Sequence, residues 1–168
     1  VWAIFEIVRH VATQSNVREC IQDLTTNLRR TTPSSWLDMS SAELNSLYIA
    51  TTNMHKFREF SQILLPKGFE LASMADLGLP DIPEEGRSFA ENALFKAQTL
   101  FASVGMPTLA DDSGLEVDCL QGAPGIYSAR YAGHKASDST NRQKLLAELQ
   151  NRPLQERRAH FICSLAYC

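Results

Sequence analysis

Histidine and cysteine are scarce, four of each in 168 residues, and neither is arranged for metal or nucleophile chemistry. Cys20, Cys119, Cys163 and Cys168 form no Cys-x-x-Cys pair and have no histidine at zinc spacing, which excludes a zinc finger and a dithiol redox motif. Cysteines scattered in this way are those of small core residues in a reduced, cytoplasmic protein. His55, His134 and His160 share no pattern, and each reads as a solvated or hydrogen-bonded side chain. There is no excess of positive charge either: 16 Lys and Arg stand against 19 Asp and Glu. That balance excludes a broad basic field for a nucleic-acid backbone, so a polyanionic ligand would need local lysines and a metal. Long apolar runs are also missing. Val1 to Val11 is interrupted by Glu6, Arg9 and His10 and makes neither a signal-peptide core nor a membrane span.

What remains is 44% hydrophobic and 21% charged residues, enough for one globular core with an appendage. Residues 1–46 read as an N-terminal extension and linker. Ile4, Ile7, Val8 and Val11, then Val17, Ile21, Leu24 and Leu28, fall close to helical spacing and suggest a helical pair. TTPSSWLDMSSAELNS, residues 31–46, has linker composition, with Met39 as a natural start. Few contacts are expected to cross such a linker, so deletion of residues 1–38 should leave the remainder undisturbed. Val1 at the start and an apolar run reaching Cys168 at the end fit a partial or mis-framed reading of a gene.

From residue 47 onward strands alternate with helices, the pattern of a layered α/β domain over 47–168. Leu47 to Ala50 is a buried strand, and Met54 to Leu65 a helix with Phe57, Phe60, Ile63 and Leu64 on one face, closed by Pro66 and Gly68. A strand near Phe69 to Ala72 leads into a Pro- and Gly-rich loop, Leu77 to Arg87. Ser88 with Glu91 forms a capping box for a helix carrying Leu94, Ala97, Phe101 and Val104. A short strand, Thr108 to Ala110, runs into the acidic segment Asp111 to Gly114, and a second strand resumes from Leu115 to Leu120. A helix over Asp138 to Leu149 and a strand from Arg158 follow.

Three segments put polar residues at the ends of buried strands, where open α/β sheets hold ligands. In TTNMHK, residues 51–56, a turn into a helix offers N–H groups to an anion and Lys56 adds a charge, though a plain Thr52 or Asn53 helix cap with a solvated Lys56 is the commoner arrangement. In the second, Glu84 sits on a flexible loop where a carboxylate can reach a metal, with Lys96 farther along. The alternative is a solvated Glu84, a Glu91 that only caps, and a Lys96 on the solvent face. The third is Ala-Asp-Asp-Ser-Gly, residues 110–114. Adjacent carboxylates repel, so a cation or a proton-transfer task explains them, and so does an Asx-turn at Asp112 and Ser113. Together these segments hold what phosphoanhydride hydrolysis needs: acidic oxygens for Mg2+, lysines and N–H donors for phosphate, and a carboxylate to orient water.

Four motifs, ATTNMHK, EEGRSFAENALFKA, ADDSGLEVD and GAPGIYSARYAG, resemble in order and spacing those of the inosine triphosphate pyrophosphatases over about Leu47 to Cys168. The resemblance implies an α/β fold with a mixed sheet flanked by helices, lacking the C-terminal part. It implies hydrolysis of inosine, deoxyinosine and xanthosine triphosphates to the monophosphate and pyrophosphate, with Mg2+ and with a homodimer as the full-length form. By the same resemblance Thr51, Thr52, Asn53 and Lys56 are the phosphate-binding turn, with Thr52 where the family often has glycine. Lys96 contacts phosphate, Ser113 contacts substrate, Glu84 and Asp112 hold the metal, Asp112 is the catalytic base and Asp111 supports it. Nucleic acid and membrane are not implied as partners.

The family's base-recognition loop and its Ser-His-Arg segment have no counterpart in the sequence. Little specific activity, loss of discrimination between inosine and adenosine triphosphates, and poor solubility from an uncovered Phe161 to Tyr167 strand are therefore expected of residues 1–168. A non-catalytic module that binds or dimerises through residues 1–30 is the alternative from another class. A related pyrophosphatase with a different base preference is the alternative within the same class.

Overall fold

The computed structural model describes residues 6–12 and 45–168. Its elements are β1 (Glu6–Ala12), β2 (Ser46–Ile49), α1 (Met54–Leu64), β3 (Glu70–Ser73), α2 (Phe89–Val104), β4 (Thr108–Val117), α3 (Asp138–Leu149) and β5 (Ala159–Tyr167). Among the described residues there is one mixed sheet in the order β1-β5-β4-β2-β3. β2 runs parallel to β3 and β4, whereas β5 is antiparallel to both β4 and β1. The mixed sheet flanked by helices is the architecture that the motifs implied.

Alternation along the strands splits the core between the two faces. Leu47, Ile49, Leu109 and Leu165 meet Phe60 and Leu64 of α1 on one side. Ala50, Ala110 and Ala166 meet Ala93, Ala97 and Leu100 of α2 on the other. The buried stripe of α2 is Phe89, Ala90, Asn92, Ala93, Lys96, Ala97 and Leu100, while Leu94, Phe101 and Val104 are only partly buried. The expected apolar stripe is thus rotated. Small alanines on the inward face let the helix lie close to the sheet, and the bulkier side chains take the flank.

Two sequence expectations are corrected. The acidic segment does not interrupt a strand: β4 is continuous from Thr108 to Val117, and Asp118–Leu120 is a 3-10 turn. β5 pairs along the whole of it, Asp111 opposite Leu165 and Asp112 opposite Ser164, and this ladder carries the strand through residues of poor strand propensity. The second correction concerns the extension. Its helical spacing over Ile4 to Val11 is overridden, because Glu6–Ala12 is a strand paired with β5 from Glu6 opposite Tyr167 to Ala12 opposite Phe161. A strand edge offers a full row of donors and acceptors, which outweighs a weak periodic preference. The expected helix at Val17 to Leu28 lies outside the described residues.

The expectation that deletion of residues 1–38 is harmless therefore changes. Removing residues 1–12 should uncover the outer edge of β5, on which Phe161 is exposed. Size-exclusion chromatography should show association of the shortened chain at concentrations where the full chain does not associate. An unchanged elution profile and melting temperature would speak against a structural role for β1.

Candidate active site

Two elements build the rim of the cleft at the C-terminal end of β2. The chain leaves the strand through Thr51 and enters α1 at Asn53. The Asn53 side chain caps the helix, accepting the N–H groups of His55 and Lys56 at 2.9 and 3.4 Å, and Thr51 Oγ1 accepts the Asn53 N–H at 3.1 Å. The plain N-cap reading of this turn is thus what the structure shows for Asn53. Lys56 is not a solvated lysine, however. Its Nζ lies 2.6 Å from Asp111 Oδ2, an atom that also accepts from Ser113 Oγ at 3.4 Å. Burial pulls the Lys56 pKa down, but Asp111 outweighs it, and the ammonium is held above its ordinary value.

Consecutive residues of a strand face opposite ways, so Asp111 points to the α1 side and Asp112 to the α2 side. Asp112 is 4% exposed and receives the Asn92 side-chain N–H at 2.8 Å. Lys96, four residues beyond Asn92 and on the same face of α2, stands between two carboxylates: 2.9 Å from Glu84 Oε1 and 3.9 Å from Asp112 Oδ1. The solvent-face reading of Lys96 is corrected, since the residue is 6% exposed. Glu91 does cap the helix, accepting the Arg87 N–H at 2.7 Å, while Ser88 Oγ accepts the Glu91 N–H at 3.1 Å.

The two carboxylates beside Lys96 titrate in opposite directions. Burial pushes Asp112 up to about 6, and the Asn92 bond and the Lys96 charge offset only part of it. For Glu84 burial also acts upward, but hydrogen bonds and charge from Lys96, with help from Arg130, hold it below the usual value. A buried carboxyl near neutrality beside a firmly ionised one is an arrangement suited to proton transfer.

A cleft of about 640 Å³ opens over these groups, and Thr51, Thr52, Asn53, Lys56, Glu84 and Lys96 line it. Six of the nine residues singled out from sequence thus meet on one surface. Asp111, Asp112 and Ser113 do not line it; Asp111 and Asp112 stand behind Lys56 and Lys96 as their carboxylate partners. Arg130 and His134 line it as well and had no assigned role. Asn92 was missed as well: its Oδ1 accepts the Gly86 N–H at 2.7 Å, so one buried amide joins the Glu84 loop to Asp112. A Cβ on Gly86 would lie 2.6 Å from that Oδ1, so glycine is needed there. An amide and a lysine four apart on an otherwise apolar helix face are a signal that could have exposed both residues.

Among the described residues no cluster of three or more His, Cys, Asp or Glu could hold a metal by protein ligands alone. The site nevertheless fits Mg2+, which takes one or two carboxylates and completes its shell with water and phosphate oxygens. Glu84 and Asp112 already share a cation, the Lys96 ammonium, so the pair is arranged around positive charge.

Fold and cleft together define an α/β protein with lysine–carboxylate pairs gathered at the end of a parallel strand. Residues 47–168 match the model of the Ham1 family, and the chain belongs to that family. It is similar to a dITP/XTP pyrophosphatase of Bacillus licheniformis, 47% identical over 126 residues that cover 74% of this chain and 64% of that protein. Among solved structures, a HAM1 protein from Coxiella burnetii is 37% identical with a TM-score of 0.67, and the Staphylococcus aureus Ham1 protein 38% identical with a TM-score of 0.64. Each of these two matches covers 73% of this chain and 62% of the other. The chain thus spans less than two thirds of the length of these relatives. The motif resemblance is borne out at the level of the family.

Proposed function

We propose that the protein hydrolyses non-standard purine nucleoside triphosphates, deoxyinosine, inosine and xanthosine triphosphates, to the monophosphate and pyrophosphate. The observation that carries this reading is Lys96 buried between a loop carboxylate and a strand carboxylate, lining one cleft together with Lys56. The name of the Bacillus licheniformis relative supplies the substrate class. The reading places the protein in the cytoplasm, in keeping with the free thiols of Cys119 and Cys168, and makes the full-length form a homodimer.

On this reading Lys56 and Lys96 leave their carboxylates for phosphate oxygens, and the Thr51, Thr52 and Asn53 turn receives the rest of the triphosphate chain, while Ser113, which bonds Asp111 and does not line the cleft, acts behind Lys56 rather than on the substrate. Glu84 and Asp112 would hold Mg2+, which neutralises charge on the triphosphate and on the departing pyrophosphate. Asp112 accepts a proton from the water that attacks the α-phosphorus, and the bond to the bridging oxygen breaks as pyrophosphate leaves. Asp111 keeps Lys56 in place until substrate arrives.

Dependence on pH follows from the burial of Asp112. A base must be ionised, so with Asp112 raised to about 6 the rate should fall as pH drops through that value. Measured at subsaturating Mg2+, kcat/KM for deoxyinosine triphosphate should show an acid limb near pH 6, with monophosphate and pyrophosphate as products. A limb near pH 4, or release of the diphosphate and phosphate, would contradict the assignment.

A further inference from the structure

We infer that Arg130 is a positioning residue that holds Glu84 in its working place in the cleft when Lys96 turns to substrate. This rests on the pyrophosphatase reading above. Glu84 belongs to a loop, and two cations grip it: Lys96 at Oε1, and Arg130, whose Nη1 donates to Oε2 at 3.3 Å and whose Nη2 donates to the Glu84 carbonyl at 3.0 Å. Arg130 therefore fixes the side chain and the backbone of one residue together. If Lys96 is drawn to a phosphate oxygen, Glu84 loses one of these grips, and Arg130 keeps the loop from drifting.

The segment that presents Arg130 is itself anchored on both sides. Ser128 Oγ accepts the Leu115 N–H of β4 at 2.9 Å and bonds the Gly125 carbonyl at 2.6 Å. Beneath it a Cβ on Gly114 would come within 2.6 Å of both Gly125 O and Ser128 Oγ, so β4 has glycine where this turn presses on it. Asn141 of α3, 8% exposed, then clamps the backbone around Arg130, accepting the Ala132 N–H at 2.8 Å and donating to the Ala129 carbonyl at 3.0 Å. A buried amide spent on holding residues 129 and 132 fixes the two between them, and Arg130 is one of these. Arg rather than Lys suits the task, since the planar guanidinium meets the carboxylate and the carbonyl through two separate nitrogens in a fixed geometry.

Amide hydrogen exchange on the ligand-free chain tests the positioning, and turnover tests its use. Arg130→Met should speed exchange of the amides at 82–86 by tenfold or more, with α3 unchanged, and Arg130→Lys should fall between the variant and the native chain. In steady state with Mg2+ and deoxyinosine triphosphate, Arg130→Met in the full-length form should lower kcat about 10–100-fold, as loss of a group that orients a metal ligand does, with KM little changed. Unchanged exchange at 82–86, or faster exchange confined to 125–149, would overturn the positioning role. A raised KM at native kcat would also overturn it, since Arg130 would then touch substrate itself. Should the full-length form hydrolyse no deoxyinosine triphosphate, the pyrophosphatase reading fails, while the exchange result still decides whether Arg130 positions Glu84.

Discussion

In the full-length form, Asp112→Asn should abolish nearly all turnover of deoxyinosine triphosphate and at the same time make the protein more stable at neutral pH. The first effect follows from its two assigned tasks. Loss of a general base alone costs about 10²–10⁴-fold, and a metal ligand is lost with it. The second follows from its surroundings. Its folded-state pKa, about 6, lies above the ordinary 3.8, so the fold favours the neutral carboxyl and resists the ionised one. Protonation therefore stabilises the native state as pH falls below 6, and at pH 7 the ionised group is a net cost. Asparagine keeps the shape and can still accept from Asn92 while removing that charge. Its advantage in melting temperature should be present above about pH 6 and fade as pH falls toward 4. Thermal melts at pH 7.5 and pH 4 check this, and a variant that is active, or less stable at pH 7.5, would contradict it.

Lys96→Met should have the largest effect on the fold. The aliphatic stem keeps its packing, but Asp112 and Glu84 lose the cation that faces both. Removing one partner of a buried ion pair leaves an uncompensated charge and costs about 3–5 kcal/mol, or roughly 10 °C in melting temperature for a chain of this size. Turnover should vanish as well. Because much of the cost arises from stranded charge at Asp112, the same substitution on the Asp112→Asn background should be milder, by about 0.5–3 kcal/mol. Denaturant titration of the four chains gives the coupling, and strict additivity would show that Lys96 and Asp112 do not interact. Lys96→Arg, which keeps the charge with a different shape, should retain most of the stability.

These two residues also show what the sequence could and could not disclose. The capping box at Ser88, the helix at Asp138–Leu149 and the strand before Thr51 were legible because they depend on neighbours in the chain. The partners of the site were not. Lys96 reads as solvent-facing on a helix wheel, and only the inward turn of an alanine face buries it between Glu84 and Asp112. The same holds for β1, whose conformation is set by the open edge of a strand about 150 residues away rather than by its own periodicity. Arg130 lay within a motif already noticed, yet its target, Glu84, is 46 residues earlier and no local pattern links them.

A cleft lined in this way should accept a triphosphate together with a metal ion. Calorimetric titration of the chain with a deoxyinosine triphosphate analogue that cannot be cleaved between the α- and β-phosphates, with and without Mg2+, tests it most directly. One-to-one binding that requires Mg2+ and is lost in Lys96→Met and Asp112→Asn is expected; equal binding without the metal, or binding that survives both substitutions, would show that the cleft is no metal–triphosphate site.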